Sequence, residues 1–155
     1  VVIMLDRPRH ADLVEEIRTV GARIRFISDG DVAGAIAPSL PDSGVDMLIN
    51  IGASAEAVLA ATAIKCLGGD FQARLWPKNV DQKNMLEDMG LDINKKLTLE
   101  DLASGKDLTF TATGVVDGPL LKGVRYTADY CITHSVVMRV KTGTIRFLET
   151  HHKLS

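Results

Sequence analysis

The chain has 155 residues, enough for one domain that buries about two thirds of its unfolded surface without covalent staples. Hydrophobic residues make up 46% and charged residues 25%, and the net charge of -2 is spread without long runs of one sign. That excludes the basic stripe of a typical nucleic-acid binder, and no apolar stretch approaches the ~20 residues needed to span a bilayer.

Val1–Leu5 is an unbroken apolar run and predicts a buried strand. The chain has no initiator Met and no signal-peptide pattern, so it is expected to be part of something longer. Asp6–Arg9 is a loop. His10–Val20 predicts a helix with Leu13, Val14, Ile17 and Val20 on one face, stopped by Gly21. Arg23–Ile27 is the next strand, Asp29-Gly30-Asp31 closes it, and a short helix follows from about Val32 to Ala37. After a Pro/Ser/Asp/Gly loop, Asp46–Ile51 predicts a third strand. Ala55–Leu67, rich in Ala and Leu, is the clearest helix and ends at Gly68-Gly69. Asp70–Leu75 is a candidate fourth strand, Val80–Met89 a polar helix, and Thr98 the N-cap of a short helix ending near Ser104. Leu108–Val116 is rich in Thr and β-branched residues. Tyr126–Lys141 and Thr144–Thr150 predict strands joined by a tight turn at Thr142-Gly143. Alternating strands and helices followed by a hairpin point to the α/β class, with a mixed β-sheet flanked by helices. Cys66 and Cys131 form no C-x-x-C pair and are expected as buried free thiols, a usage that suits a reducing compartment.

Three loops carry candidate chemistry, each just beyond a predicted strand, where ligands gather in open α/β sheets. In Arg7-Pro8-Arg9, proline biases the chain toward an extended shape in which residues two apart point the same way. Two guanidinium forks on one side suit a phosphate, and the plain alternative is a solvated basic turn. Asp29 and Asp31 bracket a flexible glycine. They suit sugar hydroxyls or a hard cation, or Asp31 simply caps the helix that follows. Gly52-Ala53-Ser54 opens the clearest helix, whose free N–H groups could face an anion. Glu56, in its first turn, either complements the helix dipole or offers an oxygen to Mg²⁺ or Mn²⁺. His134 is taken as a strand residue, His151-His152 as solvated, and Trp76 as a packing anchor. Lys122 and Arg125 are taken as surface residues. No G-x-G-x-x-G follows the first strand, which weakens a dinucleotide-binding alternative.

Taken together, these loops resemble the class II (GlpX-type) fructose-1,6-bisphosphatases. The similarity lies in Leu5-Asp6-Arg7-Pro8-Arg9-His10, in Ile27-Ser28-Asp29-Gly30-Asp31-Val32-Ala33-Gly34-Ala35-Ile36, and in Cys66-Leu67-Gly68-Gly69-Asp70. It continues in Thr133-His134-Ser135-Val136-Val137-Met138-Arg139 and in Lys141-Thr142-Gly143-Thr144. The order is collinear with the C-terminal half of the family. The resemblance implies the C-terminal domain of the fructose-bisphosphatase/inositol monophosphatase-like fold, with residues 1–155 as that domain and the N-terminal half missing. It implies metal-dependent hydrolysis of the 1-phosphate of fructose 1,6-bisphosphate, with sedoheptulose 1,7-bisphosphate as a second substrate in some members. Arg7, Pro8 and Arg9 would line the sugar-phosphate site and Asp29, Gly30 and Asp31 would contact the sugar. Ala53 stands where the family places a substrate-contacting glycine, and Glu56 matches a metal-binding glutamate. The family pattern Gly-Ile-Gly-Gly-Ala-Pro-Glu-Gly is here Asn50-Ile51-Gly52-Ala53-Ser54-Ala55-Glu56-Ala57. The implied cofactor is Mg²⁺ or Mn²⁺, the implied partners are the missing half and further copies of the chain, and the implied location is the cytoplasm, or a plastid in a photosynthetic eukaryote. The fragment alone is expected to be inactive. A non-catalytic module binding a sugar phosphate or another anion is the alternative.

Overall fold

A computed structural model describes residues 1–154. Strand β1 (Val2–Leu5) is buried along its whole length. It is the middle strand of a parallel sheet, with β2 (Ile24–Ile27) on one side and β3 (Met47–Leu48) on the other. A strand flanked on both sides and covered on both faces should be apolar throughout, as Val2–Leu5 is. Side chains alternate across the sheet. Val2 and Met4 pack with Ile17, Leu13 and Val14 of α1 (Ala11–Thr19). On the opposite face lies α2 (Asp31–Ile36). Its Gly34 makes the close crossing: a methyl there would come within 3.0 Å of both Ile27 and Leu48.

Helix α3 (Ser54–Leu67) packs beside α2 and buries Ala60, Ala61, Ala63, Ile64 and Cys66. These small residues let it lie between two layers. Ala63 and Cys66 join Ile36 in a core with Phe110, Val136 and Met138 of the second sheet and Leu121 of a loop beside it. Burial pushes the Cys66 thiol above its ordinary pKa. The second sheet comprises β6 (Thr109–Thr113), β7 (Arg125–Tyr126), β8 (Tyr130–Arg139) and β9 (Thr144–Lys153), all antiparallel to their neighbours. Strand β9 covers one edge of β8 from end to end, so β6 and β7 share the other. Between the layers in sequence, β4 (Gln72–Ala73) pairs with β5 (Leu97–Thr98) around α4 (Val80–Asp88), and α5 (Leu99–Leu102) follows.

The α/β class expected from the sequence is observed, but the strands do not share one mixed sheet. Parallel and antiparallel strands separate into different sheets because α2 and α3 lie between them. The third strand is shorter than Asp46–Ile51, because the N–H and C=O of Ile51 are taken by side chains rather than by β1. The fourth strand shrinks to two residues. Val20 leaves the apolar face of α1 and is 78% exposed, since the helix ends at Thr19. The strand expected over Tyr126–Lys141 is broken by a turn, in which the Thr127 hydroxyl accepts from the Tyr130 N–H at 3.0 Å. Trp76 is no core anchor: it is 57% exposed, with the Arg74 guanidinium over its ring at 5.4 Å. Cys131 is half-buried rather than buried. The last hairpin turns as expected near Thr142-Gly143, with Gly143 at φ 59°.

Thr98 caps α5 as the sequence suggests. The Asp101 carboxylate accepts from the Thr98 backbone N–H and hydroxyl, both at 2.9 Å, and from Lys95 at 2.5 Å. Lys95 first, and then the two Thr98 donors, lower its pKa from 3.8 to about 2. A depressed carboxyl stabilises the fold fully above its unfolded pKa, and that contribution is lost as pH falls through the folded value. Acid titration should therefore loosen the α5 cap between pH 3.8 and about 2. Amide exchange of Leu99–Leu102 checks this: Asp101→Asn should remove the acid-dependent step, and an unchanged step would place its origin elsewhere.

Candidate functional site

Because β1, β2 and β3 run parallel, the loops after them all emerge at one edge of the sheet. These loops are the Asp6–His10 segment, the Ser28–Asp31 segment and the Ile49–Ala53 segment. Each holds one of the motifs singled out in the sequence, and β1, being central, places the first loop between the other two.

The middle loop reaches both ways. Arg7 is extended at φ −141°, and Pro8–His10 then form a turn of 3₁₀ helix. The two arginines therefore do not lie on an extended segment, and their side chains part. Arg7 donates to the carbonyls of Asp6 and Ser28, both at 2.7 Å, on the β2 side. Arg9 donates from Nε to the Ile51 carbonyl at 2.8 Å, on the β3 side. Arg7 thus spends one N–H of each terminal nitrogen on backbone carbonyls. Arg9 spends only Nε among the described residues, which leaves its terminal fork for a ligand. Pro8 is exposed and starts the turn, a position suited to its fixed φ.

In the second loop, Gly30 occupies the N-cap of α2 at φ 77°. That left-handed conformation is the reason a glycine stands there. Asp31 is therefore not the cap but the first helical residue, and its Oδ1 accepts from the Val32 N–H at 3.0 Å. Its other oxygen turns toward the third loop: a methyl on Gly52 would meet Asp31 Oδ2 at 3.0 Å. Asp29 is exposed. It and Gly30 border a largely apolar groove of about 600 Å³ that continues along Phe110, Val116 and Leu120. A smaller groove of about 400 Å³ runs beside Asp6, Arg7 and Pro8. Neither groove is bordered by Arg9, Ala53 or Glu56.

In the third loop, Ala53 is the exposed N-cap of α3 at φ −81° and ψ 155°. Any residue adopts those angles, so alanine carries no backbone strain there. No side chain caps α3. Its first N–H groups stay without intrahelical partners and carry the positive end of the helix dipole. Glu56 is half-buried in the first turn, and its Oε2 is buried with no hydrogen-bond partner among the described residues. The Asn50 side-chain oxygen, six residues earlier, is equally unpartnered. Native proteins satisfy most buried acceptors, so the chain itself does not account for the Glu56 carboxylate.

The chemistry of Glu56 fits one oxygen ligand of a hard cation, and it fits no more than that. Among the described residues no group of three His, Cys, Asp or Glu converges as a metal site. Mg²⁺ requires close to octahedral oxygen coordination. The described residues therefore offer at most one ligand and not a site.

Sequence reasoning missed one residue here. His10, read as the start of a helix and the last residue of the first motif but given no role, is 1% exposed and joins the first and third loops. Its Nδ1 bonds the Leu5 carbonyl at 2.7 Å and its Nε2 accepts from the Ile51 N–H at 3.0 Å. Periodicity gives no signal for it, since its partners are backbone groups 5 and 41 residues away. His134 is a β8 residue as expected, stacked on Phe147. His151 and His152 are exposed on β9, and His151 pairs with Glu149.

A family model described as bacterial fructose-1,6-bisphosphatase, glpX-encoded, matches residues 1–152. A fructose-1,6-bisphosphatase class 2 from Haemophilus influenzae is 40% identical, over 99% of this chain and 50% of the relative. A D-fructose 1,6-bisphosphatase class 2/sedoheptulose 1,7-bisphosphatase from Gloeobacter violaceus is 39% identical, over 99% of this chain and 48% of its own length. A Synechococcus protein of the same name is 37% identical, over 97% of this chain and 47% of its own length. The chain thus spans about half the length of these relatives.

Proposed function

The chain belongs to the glpX-encoded bacterial fructose-1,6-bisphosphatase family, and from that premise we propose that it is the substrate-gripping part of a metal-dependent sugar bisphosphatase. The reaction is hydrolysis of the 1-phosphate of fructose 1,6-bisphosphate, with sedoheptulose 1,7-bisphosphate as a second substrate. The observation that carries this reading is the convergence of three motif loops at one edge of the parallel sheet.

Each residue then has a task. The free fork of Arg9 and the uncapped N-terminus of α3 bind phosphate, because both present N–H donors and positive charge. Arg7 holds the first two loops in register through Ser28 and offers its remaining N–H groups. Asp29 and Asp31 accept hydrogen bonds from sugar hydroxyls, and the exposed face of Ala53 forms the floor of the approach. Glu56 would offer one oxygen to Mg²⁺ or Mn²⁺. A divalent cation in such enzymes polarises the phosphoryl group and lowers the pKa of bound water. The remaining ligands would belong to the half of these relatives that the chain does not span. The chain's own share is orientation, holding the phosphate ester in a reactive pose. The same reading has the chain assemble with the N-terminal half and with further copies of itself, in the cytoplasm. No helix of the described residues is long and apolar enough to cross a membrane.

Calorimetric titration of the chain with fructose 1,6-bisphosphate tests the grip. Binding should saturate, fructose should give no heat, and Arg9→Ala should weaken binding about tenfold, as expected when a charge-assisted pair is lost. No saturable binding, or equal binding by Arg9→Ala, would overturn the assignment.

A further inference from the structure

Residues 9 and 10 grip both polar groups of Ile51. Arg9 Nε donates to its carbonyl at 2.8 Å, and the His10 ring accepts from its N–H at 3.0 Å. We infer that His10 is a positioning residue of the sugar-phosphate site, an imidazole locked in one tautomer that sets the orientation of the Ile51–Ala53 turn and so of the α3 N-terminus.

The tautomer follows from the partners. The Leu5 carbonyl can only accept, so Nδ1 must carry the proton. The Ile51 N–H can only donate, so Nε2 must present its lone pair. The ring is therefore neutral, with the proton on Nδ1. Burial to 1% exposure keeps water from substituting for either bond. Leu5 is the last residue of the central strand, so the ring refers the third loop to the most buried strand of the sheet. Without that link, Ile51 would be tied to the first loop by Arg9 Nε alone, and Arg9 is the side chain assigned to phosphate.

This rests on the sugar-phosphate reading, but part of its test does not. In the unliganded chain, ring ¹⁵N resonances of His10 should show a protonated Nδ1 and a lone pair on Nε2; the opposite tautomer would overturn the inference. Two variants then separate positioning from bulk stability. The amide nitrogen of His10→Asn can take the place of Nδ1 and keep the Leu5 bond while losing the acceptor for Ile51. The longer His10→Gln can present its carbonyl near the Nε2 position and keep the Ile51 bond while losing the donor to Leu5. Each loses one hydrogen bond, so both should lower thermal stability to a similar degree. Only His10→Asn should speed exchange of the Ile51 amide and weaken fructose 1,6-bisphosphate binding, by about fivefold to tenfold for one buried hydrogen bond. Equal exchange and equal affinity in the two variants would show a packing role alone. If the parent chain binds no bisphosphate, the substrate reading fails. The tautomer and the Ile51 exchange pattern would still decide whether His10 sets the turn.

Discussion

Replacing Gly114 with alanine is expected to cost the fold about 3 kcal/mol or more, at the upper end of overpacking effects. A methyl at this position would lie 2.1 Å from the Lys122 carbonyl oxygen and 2.9 Å from its carbon. Both are backbone atoms, so no rotamer change relieves the clash. The excursion from β6 to β7 runs out and back as two touching arms. Val124 donates to Val115 at 3.2 Å and Gly118 to Leu121 at 2.9 Å, and a methyl on Gly123 would come within 2.9 Å of the Val116 and Asp117 backbone. Prying the arms apart would also strain the Lys122 N–H bond to His134 Nδ1 at 3.0 Å and the Gly123 N–H bond to Asp117 at 2.9 Å. For a domain of this size each kcal/mol shifts the melting temperature by roughly 2–4 °C, so a fall of about 6–12 °C is expected. Gly118→Ala in the same loop is the control. Its methyl would meet nothing nearer than 3.9 Å, so it should melt close to the parent. Equal melting of the two variants would contradict the packing described. The loop also borders the groove beside Asp29 and Gly30, so its displacement should weaken sugar binding as well.

The second large effect is on chemistry and should leave stability intact. Glu56→Gln should lower phosphate release by the assembled enzyme by at least about a hundredfold, the scale of losing a charged group at a catalytic metal. The same variant should melt at the parent's temperature or slightly above it. A buried carboxylate oxygen without a donor contributes a desolvation cost and no compensating bond, and glutamine removes the charge at nearly the same volume. Opposite signs for stability and rate mark a group kept for function. A marked loss of stability in Glu56→Gln would instead mark Glu56 as structural, an acidic residue complementing the α3 dipole.

Much of the fold was legible because its signals are local. The apolar run Val1–Leu5, the Ala- and Leu-rich stretch over α3, the glycines at 21, 68 and 143, and the Thr98 cap each act within a few residues. What the sequence hid depends on distant partners. The separation of the sheets arises because α3 is apolar on several sides, a property its small residues permit but do not announce. The positions of the site loops were legible through strand order and motif, but the paths of the side chains were not. Arg7 and Arg9 part because their acceptors, Ser28 and Ile51, sit on different neighbouring strand ends. Asp31 lost the capping role to Gly30 because the turn needs a positive φ. His10 could not be found, since both its partners are main-chain atoms without a residue-type signature.

The most direct test of the half-site account is phosphate release from fructose 1,6-bisphosphate with Mn²⁺, measured for this chain alone and for a mixture with the N-terminal half of a family member. The two halves should first be shown to associate by light scattering. The chain alone should release no phosphate, and the mixture should release phosphate that Glu56→Gln abolishes. Release by the chain alone, or an associated mixture that stays inactive, would contradict the half-site account.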